Sequence, residues 1–209
     1  MHYKINSGNH VFSVSNGNSK IGKDTLILNM GSATNCPSKF LGLCRIPAGK
    51  CYALKAERLY PTCLPCREKQ SDYWLNTEVW KIIEDFDTLL LKHKTLKARV
   101  KYLRFNESGD FYSQDCIKKL SVIALYLKEH YGIITYGYSA RSDLDFTNVF
   151  FNVKGSDHSQ GNGQCIARKI KKGVKQYHEN NKTYFACPGN CRNCKLCKTT
   201  AFNVVIRLH

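Results

Sequence analysis

Acidic residues are scarce in this 209-residue sequence: 16 Asp and Glu stand against 32 Lys and Arg, a formal net charge of +16 at pH 7. Such an excess favours association with a nucleic acid or another polyanion, although it predicts neither fold nor chemistry. Long apolar runs are also missing. The longest, Leu120 to Leu127, has eight residues including a serine, well short of the roughly 18 that a membrane helix needs. We therefore expect no membrane span.

Three further absences narrow the function classes. The first ten residues contain no apolar segment of the signal-peptide type, so we expect a cytoplasmic protein, in the host cell if it is encoded by a phage. The chain has no internal repeat and no low-complexity block. Its seven histidines show no HxH or HxxxH spacing, which gives no support to a histidine metal site.

Cysteine, in contrast, is abundant, with eleven residues. In a reducing cytosol this favours metal ligation over a disulfide framework. A hydrophobic content of 43% and a charged content of 23% are typical of a globular chain. The sequence therefore predicts a folded, metal-binding protein.

The hydrophobic pattern alternates strands with helices, which predicts an α/β fold with an open or partial-barrel, mostly parallel sheet. The predicted strands are residues 25–30, 98–105, 132–138 and 149–153, and the predicted helices are residues 70–94 and a helix capped by Ser113. A further alternating run, residues 204–208, is typical of an edge strand. We expect residues 1–164 to form the core, with a cysteine-rich loop at 31–66, and residues 165–209 to form a basic C-terminal lobe packed on it.

The clearest motif lies in that lobe. Cys187, Cys191, Cys194 and Cys197 are four cysteines within eleven residues, separated by three, two and two residues. This close spacing is nearer to the cysteine runs of bacterial ferredoxins than to the paired CxxC turns of zinc sites. The first three also match the CxxxCxxC pattern of radical S-adenosylmethionine enzymes. Because a fourth cysteine follows at once, we expect a closed site holding a [4Fe-4S] cluster, with zinc as the alternative.

A looser group follows the predicted first strand, where an α/β sheet places its sites. Three thiolates, Cys36, Cys44 and Cys51, would suit a second iron–sulfur cluster with an open iron that could bind S-adenosylmethionine. Cys63 and Cys66 could complete that site, hold another metal or do neither. Cys116 falls on the apolar face of a helix and belongs to the core. Cys165 has no assignable role.

Polar residues at two predicted strand ends are candidate catalytic groups. Glu107 and Asp110 follow one strand, and Tyr138 and Arg141 end the next. The alternatives are a solvated turn that caps a helix, aromatic packing and a surface ion pair. A basic stretch is a candidate nucleic-acid contact, a solvated helix face or charge compensation for the cysteine clusters. It comprises Arg168, Lys169, Lys171, Lys172 and Lys175.

Several of these strings together resemble a family of phage and plasmid proteins named after mycobacteriophage gene product 88. The strings are residues 17–23, the cysteines 36, 44 and 51 with the following Tyr-Ala-Leu-Lys, residues 108–111, residues 136–141 and the closing cysteine run. Cys63 and Cys66 lie outside the shared pattern. The resemblance implies an iron–sulfur protein and a viral origin, and it implies no established activity.

The sequence therefore supports two functional hypotheses. The first is an iron–sulfur enzyme, redox or radical S-adenosylmethionine-like, that takes electrons from a donor. The second is a non-enzymatic module, held together by zinc or an iron–sulfur cluster, that binds nucleic acid or a host protein. The sequence predicts neither a substrate nor an oligomeric state.

Overall fold

The structure, a computed structural model, describes residues 2–7, 10–158, 161–198 and 202–207. In this part of the chain ten strands form one sheet. They are β1 (His2–Ser7), β2 (His10–Asn16), β3 (Thr25–Leu28), β4 (Tyr102–Phe105), β5 (Ile134–Ser139), β6 (Asn152–Ser156), β7 (Gln164–Arg168), β8 (Gln176–Glu179), β9 (Lys182–Ala186) and β10 (Asn203–Arg207).

The sheet has the spatial order β1-β2-β3-β4-β5-β6-β7-β10-β9-β8. Neighbouring strands from β3 to β9 are parallel, and antiparallel pairs occur at the two ends, where β1 and β2 precede β3 and where β8 pairs with β9. Because β1 and β8 are its outer strands in the described residues, the sheet is open. The predicted α/β class with a mostly parallel sheet is confirmed.

Six helices accompany the sheet in the described residues. They are α1 (Pro37–Phe40), α2 (Tyr52–Leu59), α3 (Cys63–Asn76), α4 (Val79–Lys92), α5 (Lys94–Arg99) and α6 (Gln114–Tyr131). Apolar side chains of α3, α4 and α6 pack with β2, β3 and β4 into the main core, which includes Trp74, Phe86 and Leu120. No helix within the described ranges has the length and apolarity of a membrane span.

The predicted helix over residues 70–94 is two helices. The chain leaves the helical conformation at Thr77 and Glu78, both extended. The Lys119 ammonium group donates hydrogen bonds to the carbonyl oxygens of Trp74 and Thr77, at 2.8 and 2.9 Å, and so satisfies the end of α3. The break follows from this tertiary contact, because the apolar pattern continues across it.

Both ends of the sheet differ from expectation. The N-terminal hairpin β1–β2 was not predicted from its Ser- and Asn-rich sequence, yet Phe12 and Val14 of β2 are fully buried. The predicted edge strand at 204–208 is wrong: β10 lies inside the sheet between β7 and β9. Val204 and Val205 point to opposite faces and are both buried, as expected of an interior strand. Residues 208 and 209 lie outside the described ranges.

The two faces of the sheet carry different residues near its centre. Odd-numbered positions such as Leu103, Phe105 and Val153 belong to the helix-covered core. Even-numbered positions present Tyr102, Arg104, Tyr136, Tyr138 and Lys154 on the other face, since alternate residues of a strand point to opposite sides. This polar and aromatic face is covered by residues 187–198.

Candidate functional site

The loops at the carboxyl ends of β3 and β4 are tied together by side-chain amides. The side-chain oxygen of Asn29 accepts hydrogen bonds from the backbone N–H groups of Glu107 and Ser108, at 2.8 and 3.2 Å. The Asn106 side chain in turn accepts from the N–H of Met30 at 3.1 Å. These bonds hold the predicted turn at 106–110 against the start of the cysteine-rich loop.

Glycine is required in this turn for two reasons. Gly109 has a φ of +76°, a conformation that L side chains rarely adopt. A Cβ atom at this position would also lie only 2.9 Å from the backbone of Gly31. The close approach of the two loops therefore depends on glycine at position 109.

A buried carboxylate, Glu57 of α2, organises the N-terminal cysteine loop. Its oxygens accept hydrogen bonds from the N–H groups of Ala33 and Thr34, at 2.7 and 2.9 Å, and from the Arg67 guanidinium at 2.8 Å. Ser108 donates a further bond at 3.2 Å. Burial alone would raise the pKa of Glu57, but these donors outweigh it and the pKa is lowered. Glu57 and Arg67 were not among the predicted site residues. They hold the loop through contacts between segments that are distant in sequence, which no local pattern reveals.

Asp110 is a second buried carboxylate with its hydrogen-bonding capacity in use. It accepts from the hydroxyls of Ser38 and Ser139, at 2.6 and 2.7 Å, and from the N–H groups of Ala140 and Phe111, both at 2.8 Å. Burial raises its pKa, against the lowering effect of these donors. The side chain thus joins the loops after β3, β4 and β5.

Arg141 is also held in structural contacts. Its guanidinium donates to the carbonyl oxygens of Phe111 and Tyr112 and forms a two-point pair with Asp143 at 2.8 Å. Glu107 is half-buried, and its backbone carbonyl accepts a hydrogen bond from the Tyr52 hydroxyl at 2.5 Å. These contacts use the hydrogen-bond donors of Arg141 and fix the position of Tyr52. A catalytic role for Arg141 or Glu107 stays a prediction.

The N-terminal cysteines lie at or near helix starts, beside carboxylates. Cys36 precedes α1 and Cys51 precedes α2, while Cys63 opens α3. Burial, and then the neighbouring Asp110, raises the pKa of Cys36 to about 11. Burial also raises the pKa of Cys63, to which Glu57 and Glu107 add, against the opposing effect of Arg67.

The four C-terminal cysteines line one pocket. Cys187, Cys191, Cys194 and Cys197 surround it together with Arg104 of β4 and with Tyr136 and Tyr138 of β5. Backbone bonds fix the segment on the sheet: Cys187 N–H donates to Val205 at 2.8 Å and Cys191 N–H donates to Lys20 at 2.8 Å. The sequence-predicted group of four is therefore brought together.

Tyr138 belongs to this pocket and not to the Asp110 cluster. It follows Gly137 and precedes Ser139, which points to the other side of β5 and bonds Asp110. The Tyr138 hydroxyl hydrogen-bonds the sulfur of Cys197, and burial followed by this thiol raises its pKa well above the usual value. The four predicted catalytic residues are thus divided between two places, with Tyr138 apart from Glu107, Asp110 and Arg141.

Three cations lie under the C-terminal cysteines. Lys154 is fully buried and Lys198 is 2% exposed, while the buried Nε of Arg104 has no hydrogen-bond partner among the described residues. The Lys198 ammonium lies 3.9 Å from the ring centroid of Tyr102, and Lys154 donates to the Asn162 carbonyl at 2.9 Å. Within the described ranges none of the three forms an ion pair with a carboxylate. Buried charges are normally paired, and the nearby cysteines would supply the negative charge only as thiolates.

Burial favours the protonated form of two of these thiols, Cys197 and Cys191. It raises the pKa of Cys197 to about 11, against the lowering effect of the Tyr138 hydrogen bond. Burial and Cys187 raise the pKa of Cys191, which Arg104 and Lys20 counteract. In the described part of the chain no three Cys, His, Asp or Glu side chains lie close enough together to hold one metal ion. Metal ligation therefore stays a prediction here.

Cys165, which the sequence left without a role, lies close behind the pocket. It is buried in β7, and its pKa is raised by burial and by the charges of Cys197 and Cys187. Cys116 is buried in α6, as predicted.

The predicted basic stretch is divided in its contacts. Arg168 in β7 pairs with Glu179 and with Asp157, at 2.8 and 3.0 Å. The four lysines of the stretch are exposed, in the segment between β7 and β8. They are Lys169, Lys171, Lys172 and Lys175. Arg168 therefore forms ion pairs within the sheet region, and the four lysines are accessible to a ligand.

No curated protein and no solved structure matches this chain. The sequence pattern of one family, described as gene product 88, matches residues 11–158. The match includes the N-terminal cysteine loop, Asp110 and Arg141, and it ends before the C-terminal cysteines. Since it spans more than half of the 209 residues, the chain belongs to the gene product 88 family.

Proposed function

We propose that Cys187, Cys191, Cys194 and Cys197 hold an iron–sulfur cluster and that the protein uses it in one-electron redox chemistry. The observation that carries the proposal is the shared pocket of four cysteines beside two buried lysines, Lys154 and Lys198, and the half-buried Arg104, none of which has a carboxylate partner in the described residues. Four thiolates bring more negative charge than the iron and sulfide core offsets, so a cationic lining favours the loaded state.

The donor set suits this group. Cysteine thiolates are the usual ligands of iron–sulfur clusters, which supply reversible one-electron transfer when bound. The Tyr138 hydroxyl donates to the sulfur of Cys197, and hydrogen bonds of this kind raise reduction potentials. Tyr136 and Leu196 contribute apolar surface to the lining of the pocket.

The N-terminal loop has less support as a second, open cluster. Cys36 lies beside Asp110, whereas Cys63 lies beside Glu57 and Glu107 and also beside the cation Arg67. The negative neighbour of Cys36 opposes thiolate formation and the binding of an anionic cluster. We therefore limit the proposal to the C-terminal cluster and do not extend it to radical S-adenosylmethionine chemistry.

Anaerobic purification with iron and sulfide analysis tests the proposal. We expect brown protein with iron and sulfide in equal amounts, near four per chain for a [4Fe-4S] cluster, and loss of both in Cys197→Ser. Cys116→Ser, in the helical core, is the matched control and should retain them. Colourless protein with stoichiometric zinc would overturn the iron–sulfur proposal.

A second proposal is that the chain binds a polyanion such as nucleic acid, with the metal site only holding the fold. The exposed lysines at 169–175 and the net charge of +16 support it. Affinity for DNA or RNA should fall steeply as salt rises, since bound cations displace counterions from the phosphates. Binding without salt dependence, or no binding at low salt, would contradict it.

A further inference from the structure

The exposed side of α2 combines cations with aromatic rings. Tyr52, Lys55, Arg58 and Leu59 are exposed, whereas Ala53, Leu54 and Glu57 are buried. With 3.6 residues per turn, the four exposed positions share one side of the helix. Lys50, two residues before α2, and Tyr60, directly after it, are exposed as well. We call these six residues the α2 face.

The α2 face has no acidic counterpart nearby in sequence. Residues 31–66 contain five Lys and Arg and a single acidic residue, Glu57. Glu57 is buried and paired with Arg67 at 2.8 Å, so it contributes no exposed negative charge. The surface of this segment is therefore positively charged, and its natural partner is an anion.

Two tyrosines and a leucine of the α2 face are largely exposed. Tyr52, Leu59 and Tyr60 are 61%, 60% and 62% exposed. The Tyr52 hydroxyl is held by the Glu107 carbonyl at 2.5 Å, so the ring is fixed while much of its surface stays accessible. A fixed, accessible ring is suited to stacking against another flat group.

The arrangement of cations and aromatic rings on the α2 face distinguishes between two anionic partners, a membrane surface and a nucleic acid. On an interfacial membrane helix, apolar and charged residues occupy separate faces. Here Lys55 lies between Tyr52 and Leu59 on one face, and Lys50 and Arg58 adjoin the aromatic positions. Cations interleaved with aromatic rings are typical of surfaces that track a phosphate backbone and stack its bases.

We propose that the α2 face binds single-stranded nucleic acid, with Lys50, Lys55 and Arg58 on phosphates and Tyr52 and Tyr60 stacked on bases. This inference rests on the polyanion binding proposed above and assigns it to a surface other than the lysines at 169–175. It does not depend on the metal site.

Fluorescence anisotropy with a labelled oligothymidylate tests the proposal on the full chain, isolated with whatever metal it holds. We expect salt-dependent binding and at least several-fold weaker binding of a duplex. Lys55→Glu with Arg58→Glu should weaken binding at least tenfold. It should also reduce the slope of log affinity against log salt by about 1.4, the loss of two single-strand phosphate contacts. The matched control, Lys171→Glu with Lys172→Glu, should change the affinity less than twofold.

The stacking contact has its own readout. Tyr60→Ala should weaken binding at least fivefold, the lower end for one lost base stack, whereas Lys171→Ala should not. Circular dichroism melting should show all variants folded as in the natural chain, since the changed side chains are exposed.

Each contrary result has a distinct meaning. If the control pair loses binding and the α2 pair retains it, the α2 face is wrong and polyanion binding stands. If the oligothymidylate does not bind at low salt, both proposals fail. Binding to vesicles of phosphatidylglycerol and phosphatidylcholine, with none to the oligonucleotide, would also overturn the assignment to nucleic acid.

Discussion

The two cysteine-rich regions of this protein differ in the charge that surrounds their thiols. In the N-terminal loop the charged neighbour of Cys36 is the carboxyl group of Asp110, and Cys63 has Glu57 and Glu107 together with the opposing cation Arg67. In the C-terminal segment, Arg104 and Lys20 act on Cys191, and Lys154 lies under Cys197. Cysteine content alone does not distinguish the two regions. Their surroundings favour an anionic, thiolate-ligated group more in the second.

The regions also differ in what holds them together. The N-terminal loop is secured by hydrogen bonds to two buried carboxylates, Glu57 and Asp110, each with at least four donors. The C-terminal segment lies on a face of the sheet that carries buried cations with no carboxylate partner in the described residues. Hydrogen bonds within the protein hold the first region, whereas for the second we propose a negatively charged ligand.

The largest expected effect comes from matched triple substitutions. Changing Cys191, Cys194 and Cys197 to Ser should abolish bound iron and sulfide in anaerobically isolated protein, because three ligands of the proposed cluster are lost. Changing Cys36, Cys44 and Cys51 to Ser should leave both contents unchanged. Iron loss from the N-terminal variant alone would reverse the comparison.

The next largest effect concerns the stability of the N-terminal region. Glu57→Gln should lower the free energy of unfolding by about 3 kcal/mol, the lower end for breaking a buried ion pair, since Gln keeps one acceptor oxygen. Urea denaturation measures the change. Glu84→Gln, on the exposed side of α4, is the control and should shift stability by less than about 0.5 kcal/mol. An equal effect of both would show that Glu57 is not an anchor.

A smaller effect is expected from a cation under the C-terminal cysteines. Lys154→Met should lower the reduction potential of the bound cluster by tens of millivolts, where about 59 mV is a tenfold change for one electron, because a positive charge favours the more negative reduced state. Lys171→Met, on the exposed segment, should leave the potential unchanged. Protein-film voltammetry or a dye-coupled titration gives the value. An unchanged reduction potential in Lys154→Met would contradict the proposed effect of the buried cation on the cluster.

The smallest effect is a pH dependence of stability. The pKa of Glu57 in the folded state lies below its unfolded value of 4.5, because its N–H and guanidinium donors outweigh burial. Its contribution is therefore fully present above pH 4.5 and is lost as the pH falls through the folded pKa. The stability difference between the natural chain and Glu57→Gln should shrink below pH 4.5 in urea titrations. A difference that grows on acidification would contradict the assigned direction.

Sequence patterns predicted the middle of the fold better than its ends. α6, with Ser113 at its N-cap and Gly132 at its C-cap, and strands β3 and β5 lie close to their predicted positions, whereas β4 and β6 begin four and three residues later than predicted. Their hydrophobic periodicity is strong because both sheet and helix bury a full apolar face. The hairpin β1–β2 was missed since short polar residues surround its few buried positions, such as Phe12 and Val14.

The candidate site was predictable where ligands are close in sequence. Four cysteines within eleven residues indicate a shared site, but an extended segment of this length would span about 33 Å, so the fold of residues 187–198 is what brings them to one pocket. The separation of the four candidate catalytic residues between the cysteine pocket and the Asp110 cluster could not be predicted from spacing. It depends on the alternation of β5, which turns Tyr138 to one face and Ser139 to the other.

By itself, the sequence determined the α/β class, the grouping of the C-terminal cysteines and the positive charge, because each depends on local periodicity, spacing or composition. Only the tertiary structure decided which charges face which thiols. Arg104 and Lys198 are far apart in the chain and line one pocket, with Lys154 near Cys197, through the pairing of β4, β5 and β6 and the docking of residues 187–198. Coulomb interactions depend on distance in space and on burial, and neither quantity can be obtained from the order of the residues alone.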